Sequence, residues 1–65
     1  MIVDQKQLQK ISHGMSQMAK THPNDLIANN LARVSEKVAT YGLAFSGKMT
    51  KLDYEIIRYY MKKIA

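Results

Sequence analysis

Between Ile27 and Phe45 six large apolar residues, Ile27, Leu31, Val34, Val38, Tyr41 and Phe45, recur at steps of four, three, four, three and four. An α-helix brings such positions onto one face, because each residue turns the chain by about 100°. A second row with the same beat, Ala28, Ala32, Ser35, Ala39, Gly42 and Ser46, lies about 100° further round the same cylinder. The large row supplies volume to a core. The small row lets a neighbouring helix come close, since short side chains shrink the interaxial distance. Together they predict a middle helix with neighbours on two sides, unbroken from Pro23 to Ser46, about 35 Å long and capped by a left-handed Gly47.

The flanking segments are also helical in pattern. Asp4 with Gln7 forms a capping box, and Leu8, Ile11, Met15 and Met18 make a narrow apolar seam over residues 4–21. Gly14 within that helix costs about 1 kcal/mol against Ala unless something needs the space. "THPND" then separates two helices: His22 is pushed out of the α region by the following proline, Pro23 suits a first helical position, and Asp25 suits the positive end of the next helix. After Gly47, Thr50 and Asp53 make a second capping box, with Met49 placed to staple onto Tyr54. In the third helix Leu52, Tyr54, Ile56, Ile57, Tyr60, Met61 and Ile64 cover more than half the circumference, leaving a polar strip of Lys51, Glu55, Arg58 and Lys62. One neighbour cannot cover so wide an arc.

The expected fold is therefore all-α: three antiparallel helices, about 4–21, 23–46 and 51–64, in a small helical bundle forming one domain over residues 1–65. The expected core is Leu8, Ile11, Met15, Met18, Ile27, Leu31, Val34, Val38, Tyr41, Phe45, Leu52, Ile56, Ile57, Tyr60, Met61 and Ile64. A core drawn from 65 residues is marginal alone, so a homodimer or a hetero-complex is expected.

The chain has no cysteine, which excludes a disulfide scaffold and a thiolate metal site. An acid at the fourth position and the lack of an apolar run near the N-terminus argue against a leader, and the reading is a soluble, cytoplasmic protein. No apolar run approaches the roughly 20 residues of a membrane span. The high Lys, Ile, Asn and Tyr content is what an AT-rich bacterial or phage genome would give.

Nothing points to catalysis. His13 and His22 have no acid or thiol at a ligand spacing and read as solvated or capping residues. Ser12, Ser16, Ser35 and Ser46 lack a nucleophile-elbow setting, and Asp53 and Glu55 face different sides of a helix. "SGK" at residues 46–48 lacks the flanking glycine and hydroxyl of a phosphate loop. No enzyme, cofactor, metal or small-molecule substrate is expected. Five methionines are best read as core filler. The segment "MTKLDYEIIRYYMKK" resembles the opening helix of winged helix-turn-helix domains over fifteen residues, without a reading helix or wing after it.

Two functional expectations remain. The first is a non-catalytic accessory or regulatory module that binds another protein through helix three and the small row of helix two, with Tyr54, Ile57, Tyr59, Met61, Ala32 and Ala39 as contact residues. The second follows from ten Lys and Arg against five Asp and Glu, a formal charge of +5. Such a chain attracts polyanions, so DNA or RNA binding through phosphates is the alternative, with Lys48, Lys51, Arg58, Lys62 and Lys63 as contacts and Tyr59 stacking on a base. Adsorption to an anionic membrane fits less well, because helix three is apolar over too wide an arc.

Overall fold

The structure, a computed structural model, describes residues 4–64, so the expected domain of residues 1–65 reaches beyond it at both ends. It is an all-α bundle of three helices, α1 (Gln5–Thr21), α2 (Asp25–Tyr41) and α3 (Lys51–Ile64), with a 3₁₀ segment Gly42–Lys48 between the last two. Each start has a local cause. Asp4 accepts the Gln7 amide at 2.8 Å while the Gln7 side chain accepts the Asp4 amide, which closes the expected capping box of α1. The second box is present too: the Asp53 amide donates to Thr50 Oγ1 at 3.2 Å and the Thr50 amide to Asp53 Oδ2 at 3.0 Å.

The start of α2 differs from expectation. Pro23 stays outside the helix, and Asn24 is the cap, its side chain accepting the Ile27 amide at 3.1 Å. A side-chain acceptor satisfies a free amide that proline at the first position would only have removed.

The end of α2 is the larger correction. The helix predicted to run to Ser46 stops at Tyr41, where Gly42 adopts φ 56° and ψ −132°. Among the described residues Gly42 alone has positive φ, so Gly47 is not the left-handed cap. Residues with a Cβ avoid that conformation, so the chain breaks its α-helix there and tightens into 3₁₀ turns. The beat of Val38, Tyr41 and Phe45 concealed the break: the new segment still turns Phe45 toward the core, where it is half-buried. The long axis of the molecule is 31 Å, shorter than the expected rod.

Contacts between the start of one helix and the end of another establish the antiparallel order. The Gln5 side chain, at the start of α1, lies against Gly42 at the end of α2. Asp53, at the start of α3, meets Arg33 and Lys37 in the latter half of α2, while Tyr59 near its end meets His22 before α2 begins. The buried apolar core is Leu8, Met15, Leu31, Val34, Val38, Ile56 and Tyr60, with Ile11, Met18, Ala19, Ile27, Phe45, Met49 and Ile57 packed around it. Tyr41, Leu52, Met61 and Ile64, expected inside, are exposed. Tyr41 sits where α2 ends, with Lys48 Nζ 5.6 Å from its ring centre, and Ile64 is in the last turn of α3.

Candidate interaction surface

Helix α3 is held from beneath by a charge. Asp53 is fully buried on the face it shares with Ile56 and Tyr60. Its carboxylate accepts from Lys37 Nζ at 2.7 Å, from the Thr50 amide, and from Arg33 Nη1. Burial by itself pushes this carboxyl upward. The bonds from Lys37, the Thr50 amide and Arg33, with the Arg33 charge, outweigh it and hold the group well below the usual carboxylate range. Arg33 also donates to Asn30 Oδ1 at 3.1 Å, which fixes the guanidinium from its other side.

The far half of α3 is positioned by shape. A Cβ built on Gly14 of α1 would lie 1.9 Å from the Tyr60 hydroxyl and 2.8 Å from its ring carbon, so the missing side chain at Gly14 is the space that Tyr60 fills. Nearby, His22 Nδ1 accepts the Asn24 amide at 3.0 Å. The neutral ring therefore carries its proton on Nε2, 2.6 Å from Tyr59 Oη, to which it donates. This bond ties the α1–α2 junction to α3, with the two rings tilted at 60° and Lys63 Nζ 5.5 Å from the Tyr59 centroid.

The flank of α3 bearing Tyr54 and Met61 is open: they are 42% and 40% exposed, although Ile57 between them is half-buried against the core. Leu52 (50%) and Ile64 (54%) are exposed near the two ends of the helix on other faces. Tyr54 donates its hydroxyl to the Ser46 carbonyl at 3.2 Å, and Met49 packs on the core. Lys51, Arg58 and Lys62 project from the adjacent strip, all exposed, with Glu55 among them. Among the described residues the ion pairs are those of Asp53 with Arg33 and Lys37.

The residues singled out from sequence fall on separate surfaces. Tyr54, Ile57 and Met61 form one row along α3, whereas Tyr59 lies on its opposite flank beside His22. Ala32 and Ala39 are exposed on a wall of an open cleft of about 590 Å³ between α1 and α2, together with Gln9, Ser12, His13 and Glu36. Within the small row Ser35 is buried and its carbonyl accepts from Ser12 Oγ at 2.8 Å, and Gly42 lies against the Gln5 side chain. Ala32 and Ala39 are exposed and not covered by a helix. The five cations divide as well: Lys51, Arg58 and Lys62 share a face, while Lys48 and Lys63 lie over Tyr41 and Tyr59.

Among the described residues no three His, Cys, Asp or Glu side chains gather into a group, and no helix is long and apolar enough to cross a membrane. Comparison with protein-family models, with curated proteins and with solved structures found no match.

Proposed function

We propose that this chain is a small non-catalytic interaction module that presents the outer face of α3 to another protein. The reading rests on Tyr54 and Met61, large side chains left 42% and 40% exposed in one row with half-buried Ile57 on a helix whose inner face is closed by Asp53, Ile56 and Tyr60. Leu52 and Ile64 are exposed as well, toward the two ends of the helix. Apolar groups concentrated on one rigid element mark contact surfaces more often than scattered exposed ones do. A rigid element also loses little freedom on docking, so more of the contact energy is retained as affinity.

A photo-crosslinking residue at Met61, compared with one at Gln9 on α1, tests this in cells that express the chain. Protein adducts from position 61 and not from position 9 are expected. Adducts in equal yield from both, or none from position 61, would remove the proposal.

The second reading is nucleic-acid binding, favoured by Lys51, Arg58 and Lys62 exposed on one face. Its mark is an affinity that falls steeply with salt, as release of condensed counterions requires. An absence of retention on immobilised DNA at low salt would end it.

A further inference from the structure

We infer that the outer face of α3 receives a helical segment of a different protein, one whose apolar row is bordered by carboxylates; this rests on the docking reading above and names the partner's chemistry. Tyr54, Ile57 and Met61 follow one another by three and four residues, so they form a single row along α3. Lys51, Arg58 and Lys62 form a second row roughly 90° further round. The surface is thus a stripe of apolar side chains beside a stripe of cations, with Glu55 as the carboxylate among them.

On the apolar side the surface continues onto α2. Leu26, 72% exposed, precedes Arg33 by seven residues on one face of α2. Arg33 meets Asp53, and α2 runs antiparallel to α3, so Leu26 is carried toward the Met61 end. Helix α3 has 14 residues, about 21 Å, long enough to lie along four turns of a partner helix.

Charge decides among occupants. A second copy of this chain, paired antiparallel on this face about a two-fold axis perpendicular to α3, would set the strip of Lys51, Arg58 and Lys62 against itself, and like charges face to face oppose such a contact. A nucleic acid would use the cations but leave Tyr54, Met61 and Leu26 without apolar surface to meet. A helix with leucine-like residues on one stripe and Glu or Asp on the next satisfies both stripes at once, which is the groove-and-face mode of helix recognition with charge setting the partner.

The test uses the full chain and two synthetic amphipathic peptides with the same leucine row, one bordered by Glu and one by Lys, with a single-stranded oligonucleotide alongside, all read by fluorescence anisotropy. The Glu-bordered peptide is expected to bind at least about tenfold tighter than the Lys-bordered one. An Arg58→Glu/Lys62→Glu double variant should reverse that order, and Met61→Asp should weaken both peptides. These positions are exposed, and circular dichroism verifies that the variants fold; if the double reversal does not, Arg58→Gln/Lys62→Gln should abolish the preference instead.

Equal binding of the two peptides would overturn the acidic partner while leaving docking through α3 intact. Binding of neither peptide would overturn both, as would tight binding of the oligonucleotide alone. Self-association abolished by Met61→Asp would replace the acidic partner with a second copy of the chain.

Discussion

The two sides of α3 invert the usual arrangement. Its inner side encloses a carboxylate, Asp53, at 0% exposure, while its outer side leaves Tyr54 and Met61 at least 40% exposed. Burying a charge is costly unless it is paired and hydrogen-bonded, and here Lys37, Arg33 and the Thr50 amide supply all of that. The contrast teaches that α3 is held by specific pairing at one end and by a shape match at the other. Tyr54 and Met61 remain exposed on a flank that neither of these contacts uses.

The largest expected effect is at the inner side. Asp53→Ala removes two charged bonds and half of a capping box, and denaturant unfolding should show a loss of about 3 kcal/mol. Arg33 and Lys37 are partly solvated and can rehydrate, which keeps the loss below that of breaking a wholly buried pair. The sign of the pH dependence follows from the depressed carboxyl. Asp53 contributes its full stabilisation above its ordinary value of 3.8 and loses it as pH falls below that, because the carboxyl protonates first in the unfolded chain and in the folded one only in strong acid. The stability gap between the native chain and Asp53→Ala should therefore narrow below about pH 4. A gap independent of pH would place the stabilisation elsewhere.

Next in size is the shape match. Gly14→Ala improves helix propensity by about 1 kcal/mol but drives a methyl into Tyr60, and overpacking costs about 1–3 kcal/mol, so a net loss in thermal stability is expected. In a Tyr60→Phe background the loss should shrink without vanishing, because the ring carbon at 2.8 Å stays when the hydroxyl at 1.9 Å goes. Gly42→Ala should cost about 1–2 kcal/mol, from the positive φ and from contact with the Gln5 side chain.

Smallest is the outer side. Met61→Gln should change stability by no more than about 0.5 kcal/mol, the range of surface substitutions away from special features. Losses rivalling those of Asp53→Ala would erase the distinction between the two sides.

Much of this fold was legible because helical periodicity and capping boxes are local. Asp4 with Gln7 and Thr50 with Asp53 placed two helix starts within a residue, and the absence of alternation excluded strands. The break at Gly42 was not legible, because the beat from Val38 to Phe45 runs through it. Whether a glycine fills a small row or adopts positive φ depends on what stands opposite, here Gln5 from the first turn of α1.

The wide arc of α3 correctly announced apolar surface beyond what the bundle covers. Which residues stay outside is missed at Leu52 and Ile64, and Met61 stands both in the expected core and on the expected contact face. The buried carboxylate had a readable signal. Asp53 shares a face with Ile56 and Tyr60 at helical spacing, and Arg33 with Lys37 puts two cations one turn apart on α2, an arrangement that calls for an anion between helices. Tyr60 on Gly14 and Tyr59 on His22 join residues far apart in the chain, and nothing local foretells such pairs.

The most direct test of a free outer face is the denaturation midpoint of a Tyr54→Asp/Met61→Asp double variant beside the native chain, each at a low and a high protein concentration. The two midpoints should agree, and neither should move with concentration. A native midpoint that rises with concentration, together with a variant that unfolds much earlier, would mean that these side chains are already buried between copies of the chain and are part of what holds it folded.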